Sequence, residues 1–330
     1  MSLHSLSTFA ATAALAAATL LSPPAAAAQP AAPVAQGTVI ASGSIGGLAP
    51  AVSAGATPAG TALPVPVTGW DITVIGPGYY SFRYTGTRNV FLITPAGVIV
   101  TDPIEPAAAR ILRDEIRKLT DQPVKYVVYS HQHWDHILGA QIFKDEGATI
   151  VSHASCLAHF DDRPNPKLVR PDVTFTGEQH VLQLGGRTLT LRYLGVNHGD
   201  CLVVMTPDGT DVPFIVDLAT PGGMPLPMIP DYSLHHWVRT LRELEGWSFK
   251  QYVGGHGPVL AHQSRLGERR EYIEALMAET EQAMNSDTPP LQIPDVVAER
   301  LKARFGHLRG FNNIVRDNVL RTMAYYGMGW

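Results

Sequence analysis

From Trp70 onward, hydrophobic and polar positions alternate in short runs, and this pattern predicts a series of β-strands. The first runs are Asp71–Ile75, Tyr79–Tyr84 and Val90–Val100, the last of them interrupted by a turn at residues 94–97. Helical periodicity follows at Ala107–Leu119, and the continuous apolar run Val124–Tyr129 is typical of a strand buried on both faces. The first half of the ordered chain is therefore predicted to mix strands with outer helices.

The second half repeats this alternation of strands and helices. A short helix is predicted around Ile137–Phe143, and the strand and helix pattern then continues to the C-terminus. The later strands are predicted at Gln179–Leu184, Thr188–Leu194, Cys201–Thr206 and Val212–Val216, and the later helices at Leu234–Leu244, His262–Met284 and Asn312–Tyr325. Two successive halves of this kind predict an α/β fold in which sheets are covered by helices on the outside.

The N-terminal part of the chain differs in composition from the rest. Residues 1–28 contain a short apolar stretch followed by small residues, which is typical of a secretory signal peptide, although no Lys or Arg precedes Arg83. Residues 29–69 are rich in Ala, Gly and Pro and are predicted to be a flexible linker. Residues 70–330 are predicted to form the catalytic domain with a C-terminal helical extension. We therefore expect a periplasmic or secreted protein with no membrane association after cleavage.

Charge and cysteine content limit the classes of partner. The 330 residues carry a net charge of −4, so no basic surface for nucleic acid is indicated, and we expect a small-molecule substrate. The two cysteines, Cys156 and Cys201, are too few for a disulfide framework, and we favour two buried thiols over one disulfide bridge. The sequence does not indicate an oligomeric state.

The chemistry is concentrated directly after the buried strand Val124–Tyr129. The chain continues there as Ser-His-Gln-His-Trp-Asp-His, which places three histidines and a carboxylate within six residues, at His131, His133, Asp135 and His136. Imidazole nitrogens and carboxylate oxygens are good zinc ligands, and the end of a strand is a usual place for a site in an α/β protein. The segment is therefore predicted to bind metal.

This His-x-His-x-Asp-His motif resembles the signature of the metallo-β-lactamase superfamily, and the resemblance covers about residues 70–260. It implies an αββα sandwich of two mixed β-sheets packed face to face, with helices on the outside. Further ligands are expected at three later positions, each just after a β-rich run: His198, Asp217 and His256. The resemblance implies two zinc ions per chain, with iron or manganese as alternatives.

Carried over by position, the resemblance assigns each ligand to a metal. One metal is expected on His131, His133 and His198, the other on Asp135, His136 and His256, with Asp217 bridging the two. Asp135 is also the candidate catalytic residue, since its carboxylate could orient the nucleophile. Asp102 and His153 are candidates for holding the ligands from outside, and Trp134 for a wall of the pocket.

The resemblance implies a hydrolase that uses a metal-bound hydroxide to attack an ester-like carbonyl, as in a lactone or a thioester. A carboxylate at position 217 is similar to glyoxalase II and the acyl-homoserine lactonases, although the lactonases carry a Tyr where this chain has Thr220. A periplasmic β-lactamase is the alternative, and a mono-iron sulfur dioxygenase is a third hypothesis. No Gly-x-Ser-x-Gly motif indicates a serine hydrolase.

Overall fold

The strands of the computed structural model, which describes residues 36–45 and 68–329, form two mixed sheets. The first sheet runs in chain order: β1 (Val39–Gly43), β2 (Trp70–Gly76), β3 (Tyr79–Tyr84), β4 (Thr87–Thr94), β5 (Gly97–Thr101), β6 (Val124–Val128), β7 (Thr149–His153) and β8 (Val173–Phe175). Strands β1 to β5 pair antiparallel with their neighbours, and β5 to β8 pair in parallel.

The second sheet lies further along the chain and has the order β14-β13-β12-β11-β10-β9. Its strands are β9 (Gln179–Leu184), β10 (Arg187–Tyr193), β11 (Val203–Pro207), β12 (Phe214–Val216), β13 (Gln251–Gly254) and β14 (Ala261–His262). Only β12 and β13 pair in parallel. The turn between β9 and β10 contains Gly185 and Gly186, both with positive φ, a backbone conformation that favours glycine.

The helices are α1 (Pro106–Leu119), α2 (Trp134–Ile137), α3 (Gln141–Asp145), α4 (Leu157–Asp162), α5 (Leu234–Glu245), α6 (Ser264–Met284), α7 (Ile293–Phe305) and α8 (Phe311–Met328). Helix α1 begins with Pro106, whose fixed φ suits the first helical turn, and it buries one face through Ala108, Leu112 and Ile116. No helix in the described part of the chain is long and apolar enough to span a membrane.

Two hydrophobic cores account for the layers. In one core, α1 and α3 pack on the outer face of the first sheet, with Leu112 and Phe143 buried among strand residues such as Phe82 and Val100. The other core includes residues of both sheets and extends to the helices from α5 to α8. Each large apolar side chain buried there contributes about 1.5–3 kcal/mol. The αββα sandwich expected from the motif is confirmed.

A buried charged network joins the first sheet to the loop after β13. The Arg83 guanidinium contacts the Asp71 carboxylate at 2.6 Å, and both side chains are buried. Arg88, also buried, donates a hydrogen bond to the carbonyl of Gly257, and its backbone N–H donates to Gly255. Sequence patterns gave no indication of this network, which fixes a loop that contributes to the site described below.

Three expectations about the fold need correction. Strand β1 lies inside the segment predicted to be a linker, where Gly43 provides the space that the Trp70 ring occupies. The single helix predicted at residues 137–143 is two short helices, α2 and α3, because the chain bends between them. The C-terminal extension contains α7 in addition to the two predicted helices. The predicted signal peptide and the rest of the linker, apart from residues 36–45 and 68–69, lie outside the described residues.

Candidate metal centre

The His-rich segment lies where β6 ends, at the carboxyl edge of the parallel part of the first sheet. His131 follows β6 by three residues, and α2 begins at Trp134, so the chain bends while it presents successive ligands. His131 and His136 are fully buried, whereas the Asp135 side chain is 56% exposed. The second sheet supplies the later residues from the ends of β10, β12 and β13. The site therefore lies between the two sheets.

One group of four side chains places its donor atoms together: His131, His133, His198 and Asp217. His133 Nδ1 lies 3.0 Å from His198 Nε2. Asp217 Oδ2 lies 3.7 Å from His131 Nε2 and 3.5 Å from His198 Nε2. The structure thus brings together three histidines from two sheets around one carboxylate oxygen.

A second group adjoins the first and contains Asp135, His136 and His256. Asp135 Oδ2 lies 3.6 Å from His136 Nε2 and 3.5 Å from His256 Nε2. Asp217 belongs to this group as well, because its Oδ2 is 3.1 Å from His136 Nε2 and its Oδ1 is 3.5 Å from His256 Nε2. The Asp217 carboxylate therefore lies between the two groups.

The spacing of these atoms fits metal coordination. Ligands at about 2.0–2.1 Å from a tetrahedral zinc ion lie roughly 3.3 Å from one another, and the distances within both groups are close to this value. His131 Nε2 and Asp217 Oδ1 are buried without a hydrogen-bond partner among the described residues. Unpartnered buried polar atoms are costly, so a cation between them would satisfy atoms that the chain leaves unsatisfied.

The electrostatics of the site also favour a cation. Burial lowers the pKa of His256, but Asp217 and Asp135 outweigh burial and raise it to about 10. His136 behaves in the same way, its pKa raised well above the ordinary value by Asp217 and Asp102 despite burial. Burial is the main cause that keeps the pKa of His131 well below its usual value. Positive charge is thus attracted next to Asp217, while His131 presents a neutral imidazole.

Hydrogen bonds on the far side of the rings fix their orientation. Ser130 Oγ lies 2.8 Å from His131 Nδ1, and His256 Nδ1 donates to the Gly86 carbonyl at 2.9 Å. Asp102 accepts a hydrogen bond from the backbone of Ser130, and its other oxygen lies 3.7 Å from His136 Nδ1. The structure places Asp102 where the sequence analysis expected an acid behind the ligands.

His153 and Trp134, both expected close to the ligands, lie in different surroundings. The His153 ring stacks on Tyr193 with centroids 4.0 Å apart and contacts Phe175, and its Nδ1 accepts from the backbone of Ser155. These contacts lie outside the two metal-binding groups, so His153 is not brought to the ligands. Trp134 lies between His133 and Asp135 in the chain and is 46% exposed, and its role as a pocket wall stays a prediction.

Cys156 and Cys201 form a disulfide with a Cα–Cα distance of 5.1 Å, so the expectation of two free thiols was wrong. The separation of 45 residues gave no sign of pairing, because the bridge depends on how the segment after β7 meets the loop after His198. His159 and Asp200 lie near Cys201, but its sulfur is already bonded. The bridge ties the loop that carries His198 to the start of α4.

Asp231 is the site residue that sequence reasoning missed. Its Oδ2 lies 2.6 Å from His133 Nε2, and its Oδ1 lies 3.4 Å from His198 Nδ1. Burial raises its pKa, but the hydrogen bond with His133 and the nearby histidine charges outweigh burial and lower it. Asp231 lies in a Pro-rich loop without periodicity, so only the three-dimensional structure shows its position.

A fold of two sheets with paired His/Asp groups between them defines a class of enzymes that are mostly metal-dependent hydrolases. The model of the metallo-beta-lactamase superfamily matches residues 83–277, and the chain belongs to this superfamily. The matched region includes every residue of the two groups. The family identified from the His-x-His-x-Asp-His motif is therefore confirmed.

Curated relatives differ in their reactions. The chain is 24% identical over 276 residues to 2,4-dinitroanisole O-demethylase subunit alpha of Nocardioides sp. (strain JS1661), which covers 81% of this chain and 84% of that protein. It is 23% identical over 170 residues to metallo-beta-lactamase IND-1 of Chryseobacterium indologenes, covering 51% of this chain and 70% of that protein. The family therefore does not fix the reaction.

Solved structures agree on the fold. A metallo-beta-lactamase from Pontibacter korlensis superimposes with a TM-score of 0.55 at 20% identity, over 62% of this chain and 99% of that chain. A double mutant of the sec-alkyl sulfatase PisA1 gives a TM-score of 0.63 at 15% identity, over 78% of this chain and 50% of that chain. At these identities the likeness shows the fold alone.

Proposed function

We propose that this chain is a hydrolase that holds two zinc ions and cleaves an ester-like carbonyl, as in a lactone or a thioester. The position of Asp217 carries the proposal. Its carboxylate lies within 3.1–3.7 Å of donor nitrogens from both groups. A carboxylate that binds two cations at once suits a pair of metals that share one water.

The residues of the chain have distinct roles in this reaction. His131, His133 and His198 would hold one ion, Asp135, His136 and His256 the other, and Asp217 both. When bound, the two ions supply a water activated at neutral pH and polarise the carbonyl. Asp135 is the exposed ligand, so its carboxylate can accept a hydrogen bond from that water and orient it toward the substrate. Burial raises the pKa of Asp135, but the hydrogen bond with His256 and the charge of His136 outweigh burial and lower the pKa below its ordinary value. The carboxylate is therefore ionised at neutral pH and accepts hydrogen bonds.

Exposed apolar side chains close to the ligands along the chain support a substrate with an apolar group. Trp134 lies between two ligands, and Val196 precedes His198 by two residues. Leu226 and Met228, 60% and 43% exposed, precede Asp231 in the same loop. Three residues span at most about 11 Å, so Met228 lies near the site. Exposed apolar groups at the rim of a polar site favour an alkyl or aryl substituent.

Hydrolysis of a β-lactam is the second candidate, favoured by the relative IND-1, whose name identifies a metallo-beta-lactamase. The name of the O-demethylase relative suggests a third type of substrate for the panel, an aryl methyl ether. Hydrolysis of an ester, a thioester or a β-lactam adds water at an electrophilic carbonyl carbon. We rank the acyl ester or thioester first because the Asp217 carboxylate lies within reach of both groups.

Export to the periplasm or the medium remains part of the proposal. The Cys156–Cys201 disulfide supports it, because disulfides form and persist in oxidising compartments and are rare in the cytosol. Protease protection of the tagged full chain in intact and osmotically shocked cells tests this location. Recovery in the cytosolic fraction alone would contradict it.

Metal analysis and a substrate panel test the function. We expect two zinc ions per chain, and turnover of a γ-lactone or an apolar thioester faster than turnover of a chromogenic cephalosporin or a nitroaromatic methyl ether. Asp217→Asn should lose both metal and turnover, since the amide lacks the charge that two cations need. Asp208→Asn is the matched control, because its carboxylate pairs with Arg187 outside the site. If the cephalosporin is turned over faster than the lactone and the thioester, the proposed function becomes that of a β-lactamase. One iron ion per chain without hydrolysis of any substrate would exclude both hydrolase functions.

A further inference from the structure

The loop of residues 218–233, the site loop, leads from the ligand at the end of β12 to α5. Leu226 and Met228 at its tip are exposed, whereas Met224 before them and Ile229 after them are buried. Ile229 has a positive φ of 40°, a conformation that is costly for a β-branched residue. Strain of this kind persists only where the surroundings determine the conformation. The exposed tip is therefore held by contacts from outside the loop.

Arg269 of α6 provides one of these contacts. Its Nη2 donates hydrogen bonds to the carbonyls of Thr220 and Gly223, at 3.0 and 2.6 Å. Arg269 is 5% exposed, so both bonds are shielded from water. A hydrogen bond with a charged donor is stronger than one between neutral groups. One side chain thus fixes both ends of the turn that precedes the tip.

The charge of Arg269 is buried in an unusual setting. Burial lowers the pKa of Arg269 below its ordinary value. The adjacent Glu268 pairs with Arg265 and His307 instead. Arg269 Nη1 is buried without a hydrogen-bond partner among the described residues. Buried charges are costly unless they are paired and hydrogen-bonded. Stability of the core therefore does not explain this arginine, whereas its bonds to the site loop do.

The C-terminal extension adds a second support to the same loop. The Arg309 N–H donates to the Gly222 carbonyl at 3.1 Å, and the Arg309 carbonyl accepts from the Met224 N–H at 3.0 Å. Arg321 of α8 donates to the Tyr232 carbonyl at 3.3 Å. Both arginines lie beyond the region that the superfamily model matches. The site loop is thus fixed from two directions, by α6 and by the extension.

The ligand Asp217 is held by other groups. Its carbonyl accepts a hydrogen bond from the Tyr232 hydroxyl at 2.7 Å, and the Leu218 carbonyl accepts from Trp237 Nε1 at 2.9 Å. Neither hydrogen bond involves Arg269. Loss of the Arg269 guanidinium is therefore expected to free the turn and the tip while the metal ligand keeps its place.

We infer that Arg269 is a positioning residue, which holds the site loop so that Leu226 and Met228 are presented to the apolar group of the substrate. This inference rests on the proposed function, because the metal centre supplies the reaction for which the tip would select substrates. Burial of one methylene group of a substrate changes affinity by about fourfold. A loop that loses its position should therefore lose its preference for long apolar groups and not the reaction itself.

Amide hydrogen exchange of the full chain tests the position of the loop. We expect Arg269→Met to speed exchange at residues 218–229 by roughly 10–100-fold, the factor that hydrogen bonds to a charged group contribute. Arg270→Met is the matched control, because this neighbour on α6 pairs with Glu245 and not with the site loop. Its exchange in the loop should equal that of the wild type.

Thioesters that differ only in chain length test the consequence for substrate binding. An acetyl and a hexanoyl thioester share the reacting group and differ in apolar length. We expect Arg269→Met to raise KM for the hexanoyl thioester roughly tenfold. KM for the acetyl thioester, kcat for both and zinc content should stay unchanged. Arg269→Lys keeps the charge and a donor, so its effect should be smaller, and it replaces the methionine variant if that variant fails to fold.

The outcomes separate this inference from the proposed function. Unchanged exchange in the loop, or faster exchange with an unchanged KM for the hexanoyl thioester, would overturn the role of Arg269. An equal loss of kcat on both thioesters together with lost zinc would also overturn it, since Arg269 would then support the metal centre. A wild-type chain that hydrolyses no ester, thioester or lactone would reject the proposed function, and hydrogen exchange would still decide whether Arg269 holds the loop.

Discussion

Gly255 offers a direct way to disturb the carboxylate between the two groups. A Cβ at this position would lie 2.3 Å from Asp217 Oδ1 and 3.0 Å from His136 Cε1. The φ angle of Gly255 is outside the left-handed region, so alanine is compatible with the backbone. The effect of Gly255→Ala is therefore steric, and it falls on Asp217, on His136 and on the backbone carbonyl carbon of Val216, which lies 3.3 Å from the added Cβ.

The size of the effect follows from the contact distance. Non-bonded heavy atoms pack best at about 3.5–4.0 Å, so the Asp217 oxygen must move by at least about 1 Å to accommodate the methyl group. A displacement of about 1 Å at a catalytic site can cost roughly 100-fold in rate. The same movement disturbs the 3.5 Å spacing between Oδ1 and His256 Nε2, so the second ion should be bound more weakly as well.

The assay compares Gly255→Ala with Gly327→Ala, a position where a Cβ meets nothing within 4 Å. We expect a roughly 100-fold loss of turnover on the substrate identified by the panel and weaker zinc binding for Gly255→Ala only. Urea unfolding of the metal-free variants separates a local effect from a loss of fold. Wild-type turnover and zinc affinity in Gly255→Ala would refute the placement of Asp217 between two metals.

Three further predictions concern the ligands and the stability of the fold. His133→Ala and Asp135→Ala should each abolish turnover while circular dichroism shows a folded chain, and retained activity in both would remove this cluster from catalysis. Asp71→Ala should lower the free energy of unfolding by about 3–5 kcal/mol, because it leaves the buried Arg83 without its carboxylate. Urea unfolding measures this loss, and a loss below about 1 kcal/mol would contradict the prediction. Replacing Cys156 and Cys201 by alanine should lower the free energy of unfolding by about 4 kcal/mol, because the bridge closes a loop of 45 residues and restricts the unfolded chain. Equal urea midpoints for the wild-type protein with and without reductant would contradict that value.

The sequence allowed the centre of the site to be predicted because its ligands follow regular strands. His131 follows β6 by three residues, and Asp217 comes directly after the short strand β12. Strand ends are recognisable from hydrophobic runs, so residues there can be placed in space without a structure. The two groups in the structure contain the same residues that the family resemblance assigned to the two metals.

Residues whose position depends on loops could not be predicted. Asp231 comes after Pro230 in a segment with no hydrophobic period, and its approach to His133 depends on the positive φ angles before it. Strand β1 was missed because Gly43 lowers the strand propensity of its segment, although that glycine is needed to admit the Trp70 ring. The disulfide depends on a meeting of two loops that no local pattern encodes.

The division of the ligands between the two sheets has a consequence for how the protein matures. Each metal-binding group takes residues from the loop after β6 and from the later half of the chain. A nascent chain that has completed only its first sheet offers two incomplete sets of ligands. If the two groups hold metal as proposed, tight binding would require the halves to have docked, and bound metal would favour the docked state by mass action. Metal content would then report on completed folding.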